Sequence, residues 1–316
     1  MRLTNEQVQQ YFDDGFLLVE DVFTREELQP VLDWFEEIVD VWADKLHRAG
    51  KVSETFPGED IYTRLASLEK AWPGAGALIT QRNSMGAALA NLWSSDKLLD
   101  MVEQFIGPDI YGHPISIFRS KTPDTALMTV PWHQDAGYFM EGGEGTLQPT
   151  AWIPFIDTNL ENGTLQFVRG SHRFETVFPH RLEHEIGHPE SWYLYIAEED
   201  LPPGDRVRVD VPMGSVLWHQ NMLVHRSTEN HSDRVRWTCD LRYQQPGLPT
   251  GFPATTSLVP IRKSDDPDYR LNWDSWISEG QEGNQSYRRL TEDNFEYSSL
   301  DSPWLVRWRK YWEKAA

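Results

Sequence analysis

The residues Trp132-His133-Gln134-Asp135, together with His225-Arg226-Ser227 later in the chain, decide how this sequence is interpreted. In an extended segment side chains alternate between two faces, so His133 and Asp135 project to the same side. One imidazole and one carboxylate can then bind a single ion, and His225 would complete a set of two histidines and one carboxylate. That facial triad leaves coordination positions open and is typical of non-haem Fe(II) sites. An H-x-D triplet is common by chance, so the interpretation depends on its surroundings.

From residue 113 onward the sequence alternates like short strands separated by turns. Asn162-Gly163 is a strong signal for a hairpin turn between two of them. About eight strands are expected of a double-sheet jelly roll, and the segments are 113–119, 127–133, 150–155, 164–168, 206–211, 215–218, 222–225 and 234–243. We therefore predict a β-rich α+β fold, a double-stranded β-helix (jelly roll, cupin-like) core buttressed by N-terminal and C-terminal helices.

The last predicted strand has the clearest alternation. Its apolar side chains, from Val235 to Tyr243, face one way, and Arg236 lies on the opposite face with other polar residues. If the apolar face packs under helices, Arg236 points into the mouth of the barrel. A guanidinium held there requires an anion, because an unpaired buried charge is costly. A purely structural pair between Arg236 and Asp240 remains an alternative.

The N-terminal third is predicted to be mainly helical. Thr4 with Gln7 and Thr24 with Glu27 each fit a capping box at a helix start, and residues 16–20 read as a strand between the two helices. Residues 50–80 contain Pro-Gly pairs and are expected to be irregular. We expect one domain over 1–316, with a helical buttress over about 1–110, the jelly roll over about 111–245 and a Trp-rich extension over about 246–316.

Composition excludes several classes of function. The formal charge of −20 and the pI near 4.8 argue against a nucleic-acid partner, which needs clustered Lys and Arg. The single cysteine, Cys239, allows neither an internal disulfide nor a cysteine-based zinc site. With no apolar leader and no run long enough to cross a bilayer, we expect a cytoplasmic protein without membrane contact.

A literal H-E-x-x-H motif, typical of zinc hydrolases, lies at residues 184–188. That chemistry needs His184 and His188 on one face of an unbroken helix, with Glu185 activating the zinc-bound water. Pro189 follows directly and disfavours helical geometry at His188. The zinc hydrolase is therefore the weakest of the functions considered.

Several motifs in the same order resemble the phytanoyl-CoA dioxygenase family of iron- and 2-oxoglutarate-dependent oxygenases, from about residue 4 to about residue 245. Arg169 stands where that family usually has proline, which is a mild departure. The matching segments are Gln7-Val8 through Gly15-Phe16-Leu17-Leu18-Val19, Trp152-Ile153-Pro154 through Glu161-Asn162-Gly163-Thr164-Leu165, Gly170-Ser171-His172-Arg173, and Gly214-Ser215-Val216-Leu217 leading to His225, Ser227, Asn230, Ser232 and Arg236.

The resemblance implies a cofactor set of Fe(II), 2-oxoglutarate as cosubstrate, and O2. The iron ligands would be His133, Asp135 and His225, and hydroxylation is favoured over halogenation because related halogenases lack the carboxylate. Arg236 lies eleven positions after His225, the spacing at which the family binds the distal carboxylate of 2-oxoglutarate. Ser227 and Trp152 match further cosubstrate-binding positions. By the same comparison His219 and His231 are not ligands, and His172 is a structural hydrogen-bonding residue.

The small-molecule substrate is not determined by the sequence. Tyr138 and Phe139 are predicted to line its pocket together with Gln81 and Arg82, and aromatic and acidic residues would suit a cationic or amphipathic molecule. Trp304, Trp308 and Trp312 form a stripe on a predicted C-terminal helix, which packs internally or buries a homo-oligomer contact. The leading hypothesis is a 2-oxoglutarate-dependent hydroxylase, and the alternatives are a non-catalytic metal- and ligand-binding barrel and the zinc hydrolase.

Overall fold

The computed structural model describes residues 1–82, 85–113, 115–140, 142–182, 193–251, 258–277 and 303–315. Seven helices have defined bounds: α1 Asn5–Asp14, α2 Arg25–Arg48, α3 Arg64–Ala71, α4 Ala75–Arg82, α5 Ala87–Trp93, α6 Asp96–Ile106 and α7 Pro303–Ala315. The strands are β1 Phe16–Val19, β2 Ile110–Gly112, β3 Ile117–Lys121, β4 Pro149–Pro154, β5 Leu165–Val168, β6 Arg181–Leu182, β7 Leu194–Tyr195, β8 Arg206–Val209, β9 Val216–Gln220, β10 His225–Ser227, β11 Arg236–Gln244 and β12 Val259–Arg262.

Two antiparallel sheets form the core of the molecule. The larger has the order β1-β9-β4-β11-β2-β12, with β3 also pairing with β11, and the smaller has the order β10-β5-β8. The strands β6 and β7 form a separate hairpin. Helices α1 to α6 cover the outer face of the larger sheet, where their apolar residues and those of β11 share one core. This is the predicted jelly roll with helices against it.

The N-terminal elements follow their sequence signals. Both predicted capping boxes are present, because Thr4 accepts from the backbone of Gln7 and Thr24 accepts from that of Glu27, with each partner side chain returning the bond. The strand β1 lies between the two helices as expected, and it pairs with β9.

Three local predictions are wrong. Residues 50–80 are not irregular throughout, because they contain α3 and α4, and the Pro73-Gly74 pair falls between these helices rather than inside one. The predicted strand at 127–133 is instead a 3₁₀ turn at Ala126–Met128 followed by extended chain, in which only His133 forms a bridge. The turn at Asn162-Gly163 is not a hairpin, because β4 and β5 pair with other strands and lie in different sheets.

The alternation predicted for the last strand is confirmed. Val235, Trp237, Cys239, Leu241 and Tyr243 are fully buried in the core under the helices. Arg236, Asp240 and Arg242 face the opposite way and line the cavity between the two sheets. The site therefore lies inside the barrel, with β11 as its floor. No helix within the described ranges is long and apolar enough to cross a bilayer.

Candidate metal centre

The predicted triad comes together at one point inside the barrel. The ligand atoms of His133, Asp135 and His225 all lie within 4.8 Å of one another, and no other such cluster occurs in the described part of the chain. His133 and His225 face each other across an antiparallel bridge, in which each backbone N–H donates to the other's carbonyl at 2.9 Å. Gln134 is extended, with φ −113° and ψ 140°, so Asp135 falls on the side of His133.

Both imidazoles present the same nitrogen to the centre. The Nδ1 atom of His133 lies 2.9 Å from the carbonyl of Pro131, and that of His225 lies 2.9 Å from the carbonyl of Leu223. A carbonyl can only accept, so each Nδ1 donates to it, and Nε2 is the nitrogen that faces the centre and can serve as a metal ligand. Burial holds the pKa of His225 well below its usual value, helped by the neighbouring His133. The neutral imidazole is the form that binds a metal ion.

The carboxylate of Asp135 is held by Arg242, a residue to which the sequence assigned no role. Arg242 donates from Nε and Nη2 to Oδ2 of Asp135, at 3.3 and 3.0 Å, and from Nη1 to the carbonyl of Ile115 at 2.8 Å. Oδ1 of Asp135 remains directed toward His133, 3.6 Å from Nε2. Burial opposes charge on Asp135, but Arg242 and the neighbouring histidines together outweigh it and hold the pKa of this carboxyl well below its usual value. One oxygen is thus left for an ion.

Arg236 is 1% exposed and carries an unused hydrogen-bond donor. Its Nη1 donates to the carbonyl of Gly163 at 2.9 Å, its guanidinium lies 5.4 Å from the ring centroid of Trp152, and its Nε has no partner among the described residues. The alternative pair with Asp240 does not form, because Asp240 binds Nε of Arg119 at 2.9 Å. Burial lowers the pKa of Arg236 to about 9, with Arg119 adding to the effect. These features suit an incoming anion.

Lys121 is a second buried cation that sequence reasoning missed. Its ammonium group donates to Oγ of Ser227 at 2.8 Å, and the same oxygen accepts from the backbone of Val130 at 2.9 Å. Burial, with Arg236 and Arg119 nearby, holds the pKa of Lys121 well below its usual value. The alternation along β3 places Arg119 and Lys121 on one face, which was the available sequence signal. Ser227 is therefore held in place by Lys121 and Val130, and it lines the same cavity as Arg236.

The other histidines take the places expected of them. The ring of His219 is buried 4.7 Å from that of His225 but lies outside the ligand cluster. His231 is exposed at the surface near Asp124 and Glu229. His172 is a structural residue, with Nε2 2.8 Å from the carbonyl of Phe12. The H-E-x-x-H motif at 184–188 lies outside the described residues.

A second cavity of about 180 Å³ opens next to the triad. Tyr138 and Phe139, which the sequence analysis predicts to line the substrate pocket, both line this cavity. Gln81 and Arg82 lie at the end of α4, which packs against β3 through a 3.0 Å hydrogen bond between Thr80 and Ser120. The side chains of Gln81 and Arg82 lie outside the described part of the structure. Further lining residues are Ile115, Ile117, Val130, Tyr193, Arg119 and Arg242.

The C-terminal helix α7 braces the backbone that follows Asp135. Trp308 is 2% exposed and donates from Nε1 to the carbonyl of Gly137 at 2.8 Å, and Trp312 donates to the carbonyl of His180 at 2.8 Å. The ring of His180 lies 5.0 Å from that of Trp308, and its Nε2 accepts from the backbone of Gln134 at 3.1 Å. Trp308 and Trp312 are therefore packing residues, in agreement with one of the two uses predicted for the stripe.

Known proteins resemble this chain in sequence over most of its length. The family model described as phytanoyl-CoA dioxygenase (PhyH) matches residues 11–238. A probable alpha-ketoglutarate-dependent hypophosphite dioxygenase from Stutzerimonas stutzeri is 27% identical over 231 residues, covering 72% of this chain and 73% of that protein. An ectoine dioxygenase from Bordetella parapertussis is 25% identical over 242 residues, covering 73% and 71%.

Solved structures show the same fold. The apo form of the non-heme monooxygenase ThoJ aligns with a TM-score of 0.57 and 19% identity, covering 91% of this chain and 98% of that one. EctD from S. alaskensis with bound Fe aligns with a TM-score of 0.50 and 17% identity over 77% of each chain. At these identities the likeness shows the fold alone, and it confirms the predicted fold class. The family match covers well over half of the sequence, so the chain belongs to the phytanoyl-CoA dioxygenase (PhyH) family of iron- and 2-oxoglutarate-dependent dioxygenases.

Proposed function

We propose that this protein hydroxylates an unactivated C–H bond of a small molecule, using Fe(II), 2-oxoglutarate and O2 and releasing succinate and CO2. The observation that supports the proposal most strongly is the convergence of His133, Asp135 and His225 in a cavity that also holds the unpaired guanidinium of Arg236. Two imidazoles and one carboxylate are a donor set suited to Fe(II). The residues present therefore fit the metal and the cosubstrate of the family.

Each residue has a distinct task in this proposal. His133, His225 and Asp135 would hold the iron, while Arg242 keeps the second oxygen of Asp135 occupied. Arg236 binds the distal carboxylate of 2-oxoglutarate with Ser227, and the ring of Trp152 lies beside the guanidinium. When bound, iron supplies the redox chemistry that couples oxidative decarboxylation of 2-oxoglutarate to oxidation of the substrate.

The protein's further contribution is to exclude water and orient the substrate. The triad residues are at most 7% exposed, so the surrounding protein keeps most water away from the centre. Tyr138 and Phe139 form the wall of the adjoining cavity, where the substrate would lie next to the iron. Tyr138 is itself fixed, since its hydroxyl accepts from the backbone of Leu194 at 2.9 Å.

The proposal is tested by supplying the full chain with Fe(II), 2-oxoglutarate and O2 and measuring succinate. We expect succinate from the wild-type protein, and background levels together with loss of bound iron from His225→Ala. His231→Ala is the matched control, because it removes an exposed imidazole that lies away from the cluster. Binding of iron and 2-oxoglutarate without any succinate across a substrate library would instead support the non-catalytic barrel. Zinc-dependent hydrolysis that is lost in His184→Ala would support the hydrolase.

The sequence-based placement in the cytoplasm and the single-domain organisation stay predictions. Fractionation of cells that express the full chain tests the first. Limited proteolysis tests the second, because a single cooperative unit yields no stable fragment that ends near residue 110 or residue 245.

A further inference from the structure

The substrate cavity has apolar walls and a cationic floor. Ile115, Ile117, Val130 and Phe139 supply the apolar surface. The floor next to the triad is formed by Arg119 and Arg242, so an apolar molecule entering this cavity meets guanidinium groups at its inner end. Any substrate must satisfy both surfaces if it is to displace the water there.

The two arginines differ in how fully they are engaged. Arg242 uses all three of its nitrogens, on Asp135 and on the carbonyl of Ile115. Arg119 donates from Nε to Asp240, and neither of its terminal amino groups has a hydrogen-bond partner among the described residues. Its side chain retains 16% exposure, and it lines both the cosubstrate cavity and the substrate cavity. A guanidinium has five N–H donors, so most of those of Arg119 remain available.

The charge inside the barrel has the opposite sign to that of the protein. Three arginines and two aspartates are the charged side chains that line the two cavities within the described structure, namely Arg119, Arg236, Arg242, Asp135 and Asp240. Iron(II) and the 2-oxoglutarate dianion have equal and opposite formal charges, so loading the site leaves this cationic excess in place. The protein as a whole has a formal charge of −20. The expectation of a cationic substrate therefore fits this cavity poorly.

We propose that the substrate is a small organic carboxylate with an apolar body, and that Arg119 binds its carboxylate in the cavity next to the iron site. This inference rests on the proposed function and specifies the substrate class of the same site. A planar guanidinium with two free amino groups matches the two oxygens of a carboxylate. The apolar part of the molecule would lie against Ile115, Ile117 and Phe139, and an ammonium group in its place would meet Arg119 with the same charge.

The test compares ligands that differ in charge but share one apolar body. For each of several bodies (phenylpropyl, cyclohexylpropyl and linear hexyl), the acid, the primary amide and the amine are titrated by calorimetry into the full chain loaded with Fe(II) and 2-oxoglutarate without O2. We expect the acids to bind more tightly than their amides, and the amines to bind most weakly. Arg119→Gln should reduce the acid-over-amide preference by about ten- to a hundredfold, the value of a charge-assisted hydrogen bond.

Two further variants distinguish carboxylate binding by Arg119 from a general loss of structure. Arg119→Lys should retain a preference for the acids, because it keeps the charge. Arg208→Gln should change nothing, since Arg208 is a surface arginine bonded to Asp210. The inference is overturned if amides or amines bind as tightly as acids, if Arg119→Gln leaves the preference intact, or if no acid binds at millimolar concentration. These titrations need no turnover, so failure of the proposed function is recognised separately by the succinate assay.

Discussion

Replacing Arg236 with methionine should stabilise the protein in the absence of cofactors and, at the same time, weaken its affinity for 2-oxoglutarate. The side chain is 1% exposed, and within the described structure its Nε has no hydrogen-bond partner. Burial lowers the pKa of Arg236 to about 9. The difference from an ordinary arginine corresponds to roughly 5 kcal/mol, which is the upper bound for what the charge costs the fold.

Replacing Arg236 with methionine should recover only part of the free-energy cost of burying its charge. It loses the hydrogen bond from Nη1 to the carbonyl of Gly163, worth about 1 kcal/mol. Replacing buried charges by apolar side chains of similar volume is neutral or stabilising by about 1–4 kcal/mol, and we expect a gain in that range. Above pH 9 the folded wild-type protein loses the proton while the unfolded chain keeps it, so wild-type stability should rise relative to Arg236→Met.

The same substitution should greatly impair cosubstrate binding. Removing one partner of a buried charged pair costs about 2–5 kcal/mol, equivalent to about a 30- to 5,000-fold rise in the Kd of 2-oxoglutarate. Urea unfolding of the apoprotein and anaerobic calorimetry of the iron-loaded protein measure the two effects, with Arg208→Met as the surface control. A variant that is less stable without cofactors and binds 2-oxoglutarate normally would refute the assignment of Arg236.

Three further predictions concern residues around the centre. Burial, aided by Arg242, lowers the pKa of His113 to about 4; stability should therefore fall between pH 6.5 and 4 as the unfolded state alone takes up a proton. At pH 5 the loss is roughly 2 kcal/mol, and urea unfolding of His113→Gln should lack this component. Gly163 has φ +92°, and an added Cβ would lie 2.8 Å from Cδ of Lys121. Gly163→Ala should cost about 1–3 kcal/mol or more and weaken 2-oxoglutarate binding through Arg236, whereas an unchanged Kd would contradict the link. Trp308→Ala should destabilise the docking of α7 by about 3 kcal/mol or more, seen as faster hydrogen exchange at residues 135–139. Tyr311→Ala, at an exposed position of the same helix, should not.

Sequence-based prediction succeeded for elements whose local sequence pattern agrees with the tertiary structure. The two capping boxes fixed the starts of α1 and α2 because each box satisfies its own backbone amides. The strict alternation of β11 identified both its core face and its cavity face, because a strand buried on one side cannot slip by one residue. His133 and Asp135 were recognisable for the same reason, since a single extended residue separates them.

The failures arose where a residue depends on a distant partner. Arg119, Lys121 and Arg242 are cations inside the barrel, and their sequence neighbours do not reveal that Asp240, Ser227 and Asp135 will meet them. The helices α3 and α4 are eight residues each, too short for a clear helical period next to Pro-Gly pairs. The chain before His133 alternates like a strand, but within it only His133 forms a β-bridge to β10, so the pattern suggested more sheet than forms.

Because α7 supports residues 135–139, it matters for the design of truncated or chimaeric forms of the enzyme. The family match ends at residue 238, yet Trp308 and Trp312 reach back to the carbonyls of Gly137 and His180. A chimaera that joins this barrel to another family member's tail would keep every proposed iron ligand and still lose the contacts that support the cavity-lining residues Tyr138 and Phe139. Differences in selectivity between such relatives would then originate partly in a segment that family alignments leave out.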